Sequence, residues 1–174
     1  MILIALGSNI SGPWGTPLEA LQRACVALNT FPLRLVRVSK IIETLPFGVL
    51  NQPNFVNAVA IVDTALSPDA LIKKLHMIEH QAGRRRRRRW GPRCLDLDIL
   101  DYHGQLRPHK AANDKALVLP HPSIAERSFV LGPVAEIAPK WKHPVNHKSA
   151  LVMIQKLYRL RRIKPDLSDI VSES

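Results

Sequence analysis

Hydrophobic and polar positions along the 174-residue chain follow strand-like spacing in some segments and helix-like spacing in others. The apolar run MILIAL at residues 1–6 is typical of a short buried strand. Residues 33–43, 57–62 and 95–102 are rich in β-branched or alternating apolar residues, which favours three more strands. Residues 45–54, LPFGVLNQPN, contain two prolines and a glycine and are expected to form a loop.

Two helices are indicated by their first residues. Thr16-Pro17-Leu18-Glu19 combines an N-cap threonine, a proline at the first helical position and a glutamate at N3. Ser67-Pro68 begins a second helix, which Gly83 ends. We expect an apolar stripe of each helix to be buried: Leu18, Leu21, Cys25 and Leu28 in the first, and Leu71, Ile72, Leu75 and Ile78 in the second.

The order of these elements predicts the fold class. Further helical segments are expected from Ser123 and from Ser149 to Leu160. An order that starts β-α-β-β-α-β predicts an α/β (α+β) sandwich of the ferredoxin-like kind with a mostly antiparallel sheet. The length suits one domain, expected over residues 1–160, and residues 161–174 are expected to be a polar C-terminal tail.

Composition narrows the class of protein. A hydrophobic fraction of 46% and a charged fraction of 22% are ordinary for a globular protein. The chain has neither a basic leader with a cleavage site nor a run long enough to span a membrane, so neither export nor a membrane is expected. Cys25 and Cys94 lie far apart without metal-type spacing, which favours reduced thiols and a cytoplasmic location.

More than half of the net charge of +11 comes from one segment, because without Arg84–Arg89 the chain has 19 basic and 14 acidic residues, a net charge of +5. Shortly after this run come Asp96 and Asp98, whose side chains lie on one face of a strand with carboxylates about 6–7 Å apart. Two like charges at that distance raise each other's pKa or bind a cation. The alternative is an exposed sheet face on which water screens both charges.

Arginines beside paired carboxylates suit a ligand that carries phosphates and bound Mg²⁺. The carboxylates hold the hard cation, and the guanidinium groups hold the remaining phosphate oxygens. The usual glycine-rich phosphate loops and the protein-kinase motifs are absent from the sequence. We therefore expect nucleotide chemistry that depends on metal ions and arginines.

Five motifs carry a resemblance to a known family. They are GSN at 7–9, NQPNFVNAV at 51–59, IEHQAGR at 78–84, RWGPRCLDLDIL at 89–100 and LPHPSIAERSFVL at 119–131. In this order they resemble the 6-hydroxymethyl-7,8-dihydropterin pyrophosphokinases of folate synthesis. The resemblance implies transfer of pyrophosphate from ATP to the pterin hydroxymethyl group, with AMP as the other product. It also implies a three-layer α/β/α fold, two Mg²⁺ ions and loops that close over the substrates.

The resemblance also implies roles for residues around ATP. Asp96 and Asp98 correspond to the metal ligands, and Arg84 and Arg93 to the arginines that neutralise phosphate charge. His76 takes the place of a glutamine that contacts adenine. The other positions matching nucleotide contacts are Glu79, Trp90, Ile99, His121 and Arg127. The alternatives are a solvated surface carboxylate for Glu79, a hydrophobic anchor for Trp90 and a residue bonded to backbone for His121.

A pterin ring needs faces to stack on and polar groups at its edge. Phe55 and Phe129 match the aromatic pair of the family, and the edge contacts correspond to Thr44, Leu45, Phe47 and Asn57. Either phenylalanine is also compatible with an ordinary core position. The Asn57 amide lies in an apolar strand, where leaving it without a hydrogen bond would cost a few kcal/mol.

Two other functions remain open from the sequence. The arginine run with its tryptophan is also compatible with a nucleic-acid-binding arm, although that role leaves Asp96 and Asp98 without a purpose. A metal-dependent nucleotide hydrolase would need the metal site but not the stacking phenylalanines. We expect ATP and the hydroxymethyl pterin as partners, a monomeric protein, and no nucleic acid or membrane.

Overall fold

The computed structural model describes residues 1–46, 52–85, 91–107 and 116–161. Within them the chain forms five strands, four α-helices and one 3₁₀ turn. The strands are β1 (Ile2–Ser8), β2 (Arg34–Val38), β3 (Ile42–Thr44), β4 (Phe55–Asp63) and β5 (Asp96–Tyr102). The helices are α1 (Pro17–Leu28), α2 (Pro68–Gln81), α3 (Ser128–Ile137) and α4 (Ala150–Arg161), with the 3₁₀ turn at Ile124–Glu126.

All five strands belong to one antiparallel sheet. Its order is β2-β4-β1-β5, and the short β3 pairs with β4 beyond the end of β2. Strands β1 and β4 are paired over their whole common length, from Ile2 opposite Val62 to Ser8 opposite Val56. The observed order β-α-β-β-β-α-β is the predicted order with the second strand divided into β2 and β3, and the ferredoxin-like fold with its antiparallel sheet is confirmed.

The sheet separates two hydrophobic cores, so the fold has three layers. Ile2, Ile4 and Leu6 of β1 face α1 and α2 in the first core. Leu3 points to the opposite side, into a second core with α3 and α4. Because side chains alternate along a strand, each strand supplies both cores. None of the helices in these ranges is long and apolar enough to cross a bilayer.

The predicted starts of α1 and α2 are confirmed. Thr16 and Glu19 form a reciprocal capping box, and the Ser67 hydroxyl accepts a hydrogen bond from the Ala70 amide. The end of α2 is also as predicted, since Gly83 has a φ of +88°, which favours glycine. The helix of residues 123 onward begins later than expected, after the 3₁₀ turn, at Ser128.

Two details of the predicted pattern are wrong. Residues 33–43 form two strands, because the amide of Lys40 donates to the Glu136 carboxylate of α3 at 3.1 Å and the chain leaves the sheet there. On α1, Leu18 is 46% exposed, whereas Ala20, Leu21, Ala24 and Leu28 are buried. The first turn of α1 therefore lies beyond the edge of the core.

The difference between Leu18 and Leu21 predicts a difference in stability. Leu21→Ala removes a side chain that is fully buried, and we expect a loss of about 2–5 kcal/mol in the free energy of unfolding. Leu18→Ala in the same helix is the matched control, with an expected loss under about 1 kcal/mol. Urea denaturation measures both values, and equal losses would contradict the boundary of the core.

Candidate active site

A cleft of about 700 Å³ opens on the α3 side of the sheet, where β1 ends and β4 and β5 begin. The centre of its floor is β1, in which Gly7 lies between Asn57 and Asp96, and Ala5 lies beside Asp98. These two residues have little or no side chain. A Cβ on Gly7 would lie 3.2 Å from the Asn57 Oδ1, so glycine keeps the floor open between the neighbouring strands.

One end of the cleft is charged. Six residues singled out in the sequence line it: Arg84, Arg93, Asp96, Asp98, His121 and Arg127. At its centre both oxygens of Asp96 are engaged, Oδ1 by the Arg84 guanidinium and Oδ2 by the Arg93 guanidinium. The first arginine of the run and Arg93, four residues after its end, thus meet at one carboxylate.

Asp98 lies on the same face of β5 as Asp96 and keeps 38% of its side chain exposed. Its nearest ionisable contact given by the structure is the His121 Nε2, 3.9 Å from Oδ2. Burial of the carboxyl and then the charge of Asp96 raise the pKa of Asp98 to about 6, against the opposing effect of Arg127, Arg84 and Arg93. At neutral pH Asp98 is therefore mostly ionised, and within the described residues its carboxylate, unlike that of Asp96, forms no ion pair with a guanidinium group.

The donor set fits Mg²⁺. Asp96 and Asp98 supply hard oxygen ligands, and their mutual repulsion is what a bound dication relieves. Among the described residues no group of three or more histidine, cysteine, aspartate or glutamate side chains could hold a metal alone. Mg²⁺ commonly binds through one or two carboxylates and completes its shell with phosphate oxygens and water.

His121 is fixed beside the carboxylates by its own backbone. Its amide donates to the Leu100 carbonyl of β5 at 2.9 Å, and its Nδ1 accepts from the Ser123 amide at 3.2 Å. Burial and then the charge of Arg127 lower the pKa of His121 to about 4, so the ring is neutral at physiological pH. Since Nδ1 accepts, the proton is assigned to Nε2, which makes His121 a hydrogen-bond donor toward the charged end.

The other end of the cleft is formed by apolar and uncharged groups. Five residues singled out in the sequence line it: Thr44, Leu45, Phe55, Asn57 and Phe129. The Asn57 amide, buried in β4, donates from Nδ2 to the Thr44 Oγ1 at 2.8 Å. The Arg127 guanidinium lies over the Phe129 ring, 5.9 Å from its centroid, and so joins the two ends of the cleft.

Three further sequence candidates lie outside the cleft lining. His76 is exposed on α2, and Ile99 is buried in the core on the α1 and α2 side of the sheet. Glu79 is buried directly behind Arg84. Burial raises the pKa of Glu79 to about 7. The charge of Arg84 and the hydrogen bond from the Leu97 amide oppose this rise, and the charges of Asp96 and Asp98 add to it. Phe47 and Trp90 lie outside the described residues.

Sequence reasoning gave no role to a set of residues that join the loops around the cleft. The Asn9 amide donates to the Gln52 Oε1 at 3.2 Å and to the Pro53 carbonyl at 3.1 Å, and its Oδ1 accepts from the Arg93 amide at 2.8 Å. The Ser8 hydroxyl donates to the Cys94 carbonyl at 2.7 Å. The motifs GSN and NQPN contained these residues, but their contacts link segments more than 40 positions apart, which spacing does not reveal.

Comparison with known proteins gives a consistent family. The family model of 7,8-dihydro-6-hydroxymethylpterin-pyrophosphokinase (HPPK) matches residues 3–139. The chain is 42% identical to the 2-amino-4-hydroxy-6-hydroxymethyldihydropteridine pyrophosphokinase of Haemophilus influenzae, over 78% of this chain and 79% of that protein. The enzyme of the same name from Pseudomonas aeruginosa is also 42% identical, over 82% and 83%.

Larger relatives contain the same region as a part. The folic acid synthesis protein fol1 of Pneumocystis carinii is 35% identical over 90% of this chain, which spans only 20% of fol1. The crystal structure of wild-type Plasmodium falciparum HPPK-DHPS with pteroate matches 93% of this chain and 46% of its own, with a TM-score of 0.72 and 13% identity. This structural similarity shows that the chain has the same fold as the matched part of that structure.

The raised pKa of Asp98 predicts a pH-dependent gain in stability for Asp98→Asn. A carboxyl with a higher pKa in the folded protein favours folding while protonated, and this contribution is lost as the pH rises from 3.8 to about 6. At pH 8 and without metal, we expect the variant to exceed wild type by about 1 kcal/mol, a value reduced for the exposure of the group. Urea denaturation in EDTA at pH 8 and pH 5 measures this gain, which should be smaller at pH 5. If the variant is no more stable than wild type at pH 8, the prediction is wrong.

Proposed function

The chain belongs to the 7,8-dihydro-6-hydroxymethylpterin-pyrophosphokinase family and is a pyrophosphokinase of folate synthesis, and we propose that the cleft described above is where it transfers pyrophosphate from ATP to 6-hydroxymethyl-7,8-dihydropterin. The products are AMP and the pterin diphosphate. One observation carries the assignment of the site: a charged end with paired carboxylates adjoins an aromatic end across a floor of Gly7 and Ala5.

The charged end suits the triphosphate. Arg84, Arg93 and Arg127 place three guanidinium groups around the carboxylates, and such groups neutralise phosphate oxygens by charged hydrogen bonds. The neutral His121 offers its Nε2–H to the same region without adding a titrating charge. The role of these side chains is to bind, orient and compensate charge, which supplies most of the catalysis in this reaction class.

Two Mg²⁺ ions complete the proposal, with Asp96 and Asp98 as their protein ligands. When bound, the ions would neutralise charge on the phosphate oxygens. Since the two carboxylates repel one another, the site favours dications over a metal-free state. The remaining ligands would come from the nucleotide and water.

The uncharged end suits the pterin. Phe55 and Phe129 provide ring faces, and Asn57, held by Thr44, provides amide groups for the edge of the heterocycle. A pterin bound there presents its hydroxymethyl group across Gly7 toward the charged end. Holding both reactants in one cleft converts a bimolecular reaction into an oriented one, which is a large part of the rate enhancement.

The roles expected of Phe47, Trp90, His76 and Ile99 stay predictions.

The remaining expectations form part of the same proposal. We propose a monomeric protein that acts on ATP and the pterin without nucleic acid or membrane, in a single domain over residues 1–160 followed by a C-terminal tail. A cytoplasmic location suits Cys25 and Cys94, which are both free thiols. The geometry around Asp96 favours small phosphates over a nucleic-acid backbone, because Arg84 and Arg93 are directed at that carboxylate.

The activity is tested by AMP formation from ATP and Mg²⁺, with and without the hydroxymethyl pterin. We expect strict dependence on the pterin in wild type and a loss of at least about 100-fold in Asp98→Asn, because metal binding is worth several kcal/mol to the reaction. Turnover without pterin would indicate a hydrolase instead. Absence of turnover together with salt-sensitive RNA binding would indicate a nucleic-acid-binding arm.

Asn57→Ala tests the pterin end separately. Removing the amide leaves Thr44 without its partner and the pterin edge without a contact, so we expect the KM for pterin to rise about tenfold, equivalent to about 1.4 kcal/mol. Affinity for an ATP analogue should stay within about twofold of wild type, because the substitution changes the pterin end of the cleft and leaves the charged end intact. Asn54→Ala, at an exposed asparagine bonded to Glu43, is the matched control. An equal loss of nucleotide affinity would contradict the assignment.

A further inference from the structure

Glu79 is a buried carboxylate behind the cleft rather than in it. Its residue is 3% exposed, and its Oε1 accepts a hydrogen bond from the Leu97 amide at 2.7 Å. Leu97 lies on β5, at the edge of the sheet, between the two aspartates. Because a buried charge is costly unless it is compensated, the partners of this group define what it does.

The second partner of Glu79 is the Arg84 guanidinium. The same Nη1 of Arg84 contacts the Glu79 Oε1 and the Asp96 Oδ1. Arg84 therefore bridges two carboxylates, one buried and fixed to the backbone of β5, the other in the cleft. Arg84 also follows directly on Gly83, and its amide donates to the Glu79 carbonyl at 3.0 Å, so backbone and side chain are held by the same residue.

Arg93 is held differently. Its guanidinium contacts the Asp96 Oδ2, and within the described ranges that is the carboxylate with which it forms an ion pair. Both oxygens of Asp96 are thus occupied by arginines. A Mg²⁺ ion bound to Asp96 would compete with both guanidinium groups for the carboxylate and repel them. Arg84 would still have Glu79 as a partner, whereas Arg93 has no second carboxylate partner among the described residues.

We propose that Glu79 is a positioning residue, which keeps the Arg84 guanidinium at the wall of the cleft when Asp96 exchanges its arginine contacts for Mg²⁺. The inference rests on the proposed function and deepens it. In this role Glu79, which does not line the cleft, acts through Arg84. It holds Arg84 ready for the phosphates, while Arg93 becomes available to follow them.

Binding of α,β-methylene-ATP with Mg²⁺ tests this role without turnover. At pH 8, above the pKa of about 7 of Glu79, Glu79→Gln keeps an acceptor for the Leu97 amide but removes the charge that holds Arg84, so we expect affinity for the analogue to fall about tenfold. AMP, which lacks the β- and γ-phosphates, should bind within about twofold of wild type. The single-turnover rate should fall as well, with the KM for pterin unchanged.

The Arg84→Met background distinguishes positioning from direct contact. If Glu79 acts through Arg84, Glu79→Gln in that background should lower the analogue affinity by less than about twofold further. A full tenfold loss in the double variant, an equal loss for AMP, or unchanged affinity in the single variant would overturn the inference. The first two results would instead indicate contact with the ribose or base. Asp63→Asn, which breaks the exposed ion pair to Arg34, is the matched control and should change nothing.

Folding and the proposed function are checked in the same series. Thermal unfolding shows whether Glu79→Gln folds; if it does not, Glu79→Asp replaces it, since the shorter carboxylate keeps the charge but withdraws from Arg84. The same losses are expected, and unchanged analogue affinity overturns the inference. Pterin-dependent AMP formation by wild type is measured alongside. If wild type forms no AMP but analogue affinity still depends on Glu79 through Arg84, only the proposed function is refuted. If wild type forms AMP but analogue affinity does not depend on Glu79, only the positioning role is refuted.

Discussion

Repulsion between two carboxylates on one face of β5 is the constraint on which the rest of the site depends. Asp96 and Asp98 are separated by a single residue, and the charge of Asp96 contributes to the raised pKa of Asp98. The surrounding guanidinium groups reduce this cost without removing it. A site in which two carboxylates lie among three guanidinium groups suits a ligand that brings cations and phosphates together, because the cations match the carboxylates and the phosphates match the arginines.

The sheet determines where this charge is placed. Alternation sends Leu97 and Ile99 of β5 into the core beneath α1 and α2, and it sends Asp96 and Asp98 to the opposite face. At the same height β1 contributes Gly7 and Ala5, which leave space above the sheet. The polar cleft and the apolar core consequently lie on opposite faces of the same strands. Packing of the core therefore also fixes the positions of the side chains in the cleft.

Local features were predictable from the sequence, whereas contacts between distant segments were less so. The capping residues Thr16 and Ser67 and the ending glycine of α2 follow from chemistry within a few residues. The break between β2 and β3 depends on Glu136, almost a hundred positions away. Likewise, a solvated surface carboxylate was the alternative for Glu79, but the approach of β5 buries this side chain. The spacing of residues along the sequence shows on which face of a helix or strand a side chain lies, but it does not show which element packs against that face.

The meeting of Arg84 and Arg93 at Asp96 has a consequence for the segment between them. Each of these two arginines is tied to the framework separately, Arg84 through Glu79 and Arg93 through the Asn9 side chain. Both anchoring residues lie outside the segment, so a substitution between Arg84 and Arg93 leaves the two anchoring partners in place.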